Sequence, residues 1–349
     1  MKKKSTYLLL AGLICSLAVL IAFYYNFSAN KASQKYLKQG GFQRKPLAIN
    51  LHPRNDFGLE KQFYSIVGLT GDKIIIYQMG DKNLIVFNAD QTKTFLKLPA
   101  IINPQNIVNV SIHPTDPQLI DIYCNNDKKI FVFDTRSQKI KSVYKFNTYF
   151  ENAIPSSDSS FFAFIQGEKQ NQLILTANTF DKDGNERIAK ESQIIKESMT
   201  DDGMFSRFGK NLFYVNYYNN NISVIDSTLS EEIRFHTIDT ITTRPNTITI
   251  RNNTITKFIK APRPVNQLLQ IADGLLFVNS YVRADNDGEN DPENENDLID
   301  VYDTKKSCKY IGTIYITRYS KEPIQDFLIQ GKTLVLQYPN KTIVYDFSL

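Results

Sequence analysis

No tryptophan occurs in this chain, and cysteine and histidine occur only three times each in 349 residues. So little cysteine excludes a disulfide-stapled scaffold. No CxxC or Cys/His spacing suggests a metal site, and no two of His52, His113 and His236 share a ligand-like spacing. The GxSxG elbow, the glycine-rich phosphate loop and the dinucleotide fingerprint are absent too. Acidic charge is missing from residues 1–55, which hold nine Lys or Arg. The rest carries 32 basic and 36 acidic residues, so the net charge of +5 belongs to the N-terminal stretch. The folded part is mildly acidic and offers no nucleic-acid surface.

Charge is also lacking in residues 7–25, directly behind Met1-Lys2-Lys3-Lys4. At about 1.5 Å per residue, those nineteen residues just span a hydrocarbon core. The leading lysines place the N-terminus in the cytoplasm, and Tyr24 and Tyr25 suit the far interface. A cleaved signal is the competing reading, but the small-x-small triplet Ser16-Leu17-Ala18 sits in the middle of the apolar run. Either way, the remainder of the chain is expected to be exported. The expected organisation is a membrane anchor or uncleaved signal over residues 1–25, a polar linker over 26–60, and a folded domain over 61–349.

What the chain has in quantity is Val, Ile, Thr, Tyr and Phe, a β-forming vocabulary. One pattern recurs six times: a short strand, a tight turn, a strongly apolar strand, and a third strand ending in Asp or Asn. The turns fall at Gly71-Asp72, Asp116-Pro117, Ser157-Asp158, Gly209-Lys210, Asp273-Gly274 and Gly331-Lys332. The third strands end at Asn88, Asp134, Asn178, Asp226, Asp303 and Asp346, where the side chain can start the next turn. A fourth strand follows copies one to five. Four short antiparallel strands at a period near ~45 residues are the arithmetic of propeller blades. The fold expected is therefore all-β, a six-bladed β-propeller of four-stranded antiparallel blades behind one N-terminal transmembrane helix. Copy six ends after three strands, so its fourth must come from upstream. Residues 46–51, PLAINL, are the candidate for closing the ring. Cys124 and Cys308 then fall on non-adjacent blades and are expected to be free, buried thiols. Cys15 lies in the apolar run.

The repeats resemble the six-bladed propellers of the NHL, YncE or TolB-like kind. Ser111-Ile112-His113-Pro114 followed by Asp116 is similar to the stretch at the first turn of many such blades. The chain also resembles membrane-anchored envelope propellers of Gram-negative bacteria. That resemblance implies a location on the periplasmic side of the inner membrane. It implies nothing specific about function, because propellers serve as scaffolds, ligand binders and enzymes alike.

In a propeller, the connections from strand two to three and from strand four to the next blade share one end of the ring, here termed the loop end. The other turns share the turn end. Two insertions fall at the loop end beside blade five. Residues 241–266 carry Arg244, Arg251 and Arg263 around a hairpin expected at 247–250 and 254–259. Residues 283–296 carry Asp285, Asp287, Glu289, Asp291, Glu293 and Glu295. Two solvated loops can neutralise each other. Alternatively they form the edge that binds a protein or glycan partner, or Asp285, Asp287, Glu289 and Asp291 hold Ca²⁺, although the EF-hand order is not kept. Tyr217 and Tyr218, the segment Gln78-Met79-Gly80-Asp81 and other Asn- and Tyr-bearing loops share that end. With no nucleophile–base pair and no cofactor motif, the expected function is a non-catalytic interaction, scaffold or sensor module. The alternatives are a hydrolase or lyase using channel carboxylates, or a small-molecule or glycan receptor.

Overall fold

The computed structural model describes residues 37–38 and 41–349, apart from 61–62, 168–171, 197–198, 231, 244, 246, 251–254, 259–261 and 288–295. The apolar segment 7–25 lies outside the described residues, as do Arg244, Arg251, Glu289, Asp291, Glu293 and Glu295. Among the described residues no helix is long and apolar enough to cross a membrane.

Within the compact unit Gln39–Leu349, six four-stranded antiparallel sheets are arranged as a propeller. Blade one is Tyr64–Thr70, Lys73–Gln78, Asn83–Phe87 and Lys93–Lys97. Blade two is Ile107–Ile112, Leu119–Cys124, Lys129–Asp134 and Lys139–Lys145. Blade three is Phe150–Ser157, Ser160–Gln166, Leu173–Phe180 and Glu186–Lys196. Blade four is Gly203–Phe208, Asn211–Asn216, Asn221–Asp226 and Glu232–His236. Blade five is Asn266–Ala272, Leu275–Ser280, Asn296–Asp303 and Lys309–Thr317. Blade six is Asp326–Gln330, Thr333–Tyr338 and Lys341–Ser348, completed by Asn50–Gly58 from the other end of the chain.

The second strands are largely apolar because both of their faces are covered; Asp121, in that of blade two, is a buried charged exception. Side chains alternate between faces with a period of two. Ile75 and Tyr77 therefore pack toward blade two, whereas Ile74 and Ile76 pack toward blade six. The same alternation repeats around the ring and produces one apolar core between each pair of neighbouring blades. Cys124 belongs to the core between blades one and two, and Cys308 to that between four and five. Both thiols are free and buried. Burial pushes them up to about 12 and about 11 respectively.

The residues ending the third strands start turns in four blades. Asn88 Nδ2 donates to Thr92 Oγ1, while Asp134, Asp226 and Asp303 accept from the backbone N–H of Arg136, Ser230 and Lys305. Asn178 departs, lying buried and donating to Thr176 Oγ1; Asp181 takes over its turn by accepting from Asp183 and Asn185. Asp346 has no hairpin to start, because the strand beside it comes from the far end of the chain and pairs it with His52.

That closing strand corrects the boundary expected from the sequence. It runs over Asn50–Gly58 rather than 46–51, with a bulge between Pro53 and Asn55. Pro46 instead makes a parallel bridge with Thr313 on the outer strand of blade five. An outermost strand needs few apolar residues and tolerates proline, so its pattern is faint. Residues 41–58 form a strap and a closing strand within the compact unit. In the basic insertion, the hairpin forms over Thr247–Ile250 and Ile255–Phe258.

The inner strands are not evenly spaced. Those of blades four, five, six, one and two pack in succession, from four on five through to one on two, whereas the inner strand of blade three packs less closely on its neighbours. This strand carries Pro155 and shifts register at both ends. Space is therefore left around the inner strand of blade three.

Candidate functional site

The strap supplies one enclosed polar site. Arg44, only 2% exposed, uses all five of its N–H groups. Nε donates to Asp300 Oδ1 at 2.9 Å, and Nη1 to Asp287 Oδ2 at 2.6 Å and the Val282 carbonyl at 2.8 Å. Nη2 donates to Asp300 Oδ2 at 3.0 Å and Ser280 Oγ at 2.9 Å. Asp287 also accepts from Ala284 N–H and from the Tyr315 hydroxyl, and Asp300 from Thr313 Oγ1. Burial alone would lower the Arg44 guanidinium, but Asp300 and Asp287 more than reverse it and hold the proton above the usual range. Asp285 accepts from the Gly41 backbone N–H. The acids at the start of the acidic insertion are therefore neutralised and capped by the strap. No group of three or more His, Cys, Asp or Glu suited to a metal ion occurs among the described residues.

At the loop end between blades three and four, Lys196 is buried between two rings, 4.4 Å from the Phe164 centroid and 5.3 Å from that of Tyr214. Its Nζ lies 2.7 Å from Glu151 Oε2 and 3.9 Å from Asp202 Oδ1. Burial pushes the Asp202 carboxyl up to about 6; Lys196 opposes this, while Glu151 and Asp201 add to it. Tyr217 and Tyr218 stand beside this cluster, edge to face at 6.2 Å. Tyr217 is anchored by its carbonyl, which accepts from Val265 N–H at 2.6 Å. Arg263 lies exposed on the same connection.

Also at the loop end, Phe63 and Met79 are each 68% exposed. They are neighbours, since Met79 N–H donates to the Phe63 carbonyl. A Cβ on Gly80 would lie 3.2 Å from Gln105 Nε2, so the segment leading to exposed Val108 abuts the same loop. Ile101, on the same blade-to-blade connection, is exposed as well.

Toward the turn end, the gap around blade three forms a cavity of about 420 Å³ lined from blades two, three and four. Arg207 enters it from blade four, with Ser111 and Tyr123 on the blade-two side. Close by, His113 Nδ1 lies 2.8 Å from Asp121 Oδ1 in a buried pair, and Nε2 lies 3.7 Å from Asp158. His113 is thus an interior residue rather than a plain turn residue.

Sequence reasoning named Tyr217, Tyr218 and Met79, which the structure also places at the loop end, but missed Arg44, Lys196, Asp202 and Arg207. Each of these is defined by partners from other blades, which leave no local spacing to read. Only the apolar residues Phe42, Leu47 and Ile49, set among the polar residues of the strap, carried a signal that this stretch is packed.

No protein-family model matches the chain, and no curated protein matches it in sequence. Solved structures do resemble it. One is described as a putative exported protein from Bacteroides fragilis, 11% identical, covering 90% of this chain and 98% of that one with a TM-score of 0.55. Another is a member of the DUF4221 family from Bacteroides vulgatus, 12% identical, covering 87% and 99% with a TM-score of 0.52. At such identities the likeness concerns the fold alone.

Proposed function

We propose that the chain is an exported propeller, held at a membrane by residues 7–25, that works as a non-catalytic protein-interaction module and engages its partner through the loop end. One observation carries this reading. Of the seven large apolar side chains that stand exposed among the described residues, four (Phe63, Met79, Ile101 and Val108) belong to loop-end segments of blades one and two. Exposed aromatic and methionine side chains grouped at one end are characteristic of a protein contact rather than of a solvated rim. The Bacteroides fragilis neighbour, by name a putative exported protein, is consistent with the location. The test is a photo-crosslinking residue placed at Met79 in cells, compared with one at Asp72 on the opposite end. A discrete adduct from position 79 alone, lost in Phe63→Asp, is expected. An adduct from position 72 alone, or none from position 79, would refute the assignment.

A second reading, a hydrolase or lyase, is favoured by Asp202, held at about 6 beside a buried lysine. It requires turnover of a glycan, lactone or peptide that Asp202→Asn and Glu151→Gln both abolish. Turnover that survives both substitutions excludes it.

A further inference from the structure

The cavity at the turn end goes beyond partner docking, and its chemistry is distinct. Arg207 is the one formally charged residue among the described residues of its wall, and no carboxylate lines it. Three backbone carbonyls hold the guanidinium in place: Nε donates to Gly209 at 3.0 Å, and Nη1 to Pro155 at 3.1 Å and Ser156 at 2.7 Å. These carbonyls leave the charge uncompensated, and Nη2 makes no hydrogen bond to any described residue. Asp121, on the strand that supplies Tyr123, cannot neutralise it, being committed to His113 at 2.8 Å. The rest of the wall divides into hydroxyls, Ser111, Ser206 and Tyr123, and apolar surface, including Pro114, Ile154 and Phe208.

From this wall we infer that the cavity binds a carboxylate carried on a small, partly apolar body, with Arg207 as the anion-binding group. The unengaged Nη2 amino group of this fixed guanidinium can donate a charge-assisted hydrogen bond to a carboxylate oxygen. A single cation without a second positive group favours a monoanion over phosphate. The volume of about 420 Å³ lies at the small end of ligand pockets and holds one or two residues rather than a folded surface. The carboxylate has two candidate sources, the C-terminus of a peptide or a free organic acid.

Calorimetry on the full chain in detergent micelles tests this with four probes: N-acetyl-dialanine, its C-terminal amide, propionate and inorganic phosphate. The free-acid dipeptide should bind about tenfold or more tightly than its amide, the scale of one charge-assisted pairing. Arg207→Gln should abolish that preference and Arg207→Lys keep part of it. Because Arg207 also braces the backbone of blade three, Ser206→Ala provides a variant that leaves those bonds in place; it should weaken the acid a few-fold. Propionate binding as well as the dipeptide assigns a free acid, and dipeptide binding alone assigns a chain terminus. Equal affinity for acid and amide, tighter binding of phosphate, or a preference that survives in folded Arg207→Gln overturns the inference. Phe63→Asp should leave binding unchanged, so failure of the loop-end assignment and failure of this one are separable.

Discussion

Arg44 is surrounded by acceptors drawn from three stretches of blade five, so its loss is felt mainly by what it leaves behind. Arg44→Met strands Asp287 and Asp300 in the interior without a counter-ion, and it should cost roughly 3–5 kcal/mol in a denaturant titration. Arg44→Met combined with Asp300→Asn should recover part of that loss. His113 gives a pH signature. Burial lowers its proton affinity, but the hydrogen bond and charge of Asp121 reverse this, so the folded value sits above the ordinary 6.5. A raised histidine stabilises fully below its unfolded value and loses that contribution as pH rises through the folded one. The stability gap between the wild type and His113→Gln should therefore be larger at about pH 6 than at about pH 8; a gap that does not change would contradict the pairing. The buried thiols were legible at this scale from residue type and blade assignment. Arg44 was not, because its partners Asp287 and Asp300 lie 243 and 256 positions away.

Among the elements, the six second strands announce themselves through apolar runs, broken in blade two only by Asp121, and the Asx turns at Asn88, Asp134, Asp226 and Asp303 mark where third strands end. The closing strand gives no such sign. Most of Asn50–Gly58 is exposed or half-exposed, and its main apolar commitment is Phe57, stacked on Phe87 of blade one at 4.3 Å. Phe57→Ala should cost about 3–5 kcal/mol, and more of this should appear as faster amide exchange in Lys341–Ser348 than in any other strand. Uniform exchange across blades would show that this strand is not the seam. The setback of blade three was equally hidden. Pro155 is visible in the sequence, but the opening it accompanies depends on how three blades meet.

At the scale of the whole molecule, every blade has two neighbours, and a closed ring has no terminal repeat to fray. Cys124 and Cys308 report on two separate inter-blade cores. In a Cys15→Ser background, both should resist a thiol reagent in the native state and become reactive at the same denaturant concentration. Labelling of one well before the other would reveal independent halves. The strap matters most in this connection. Before the chain reaches the seam, it is fastened to blade five by Arg44 and by the Lys45 and Leu47 backbone bonds to Thr313. Traction entering through the residues ahead of Gly41 is therefore diverted into the body of blade five. The seam, where the two ends of the described chain meet, is spared the load.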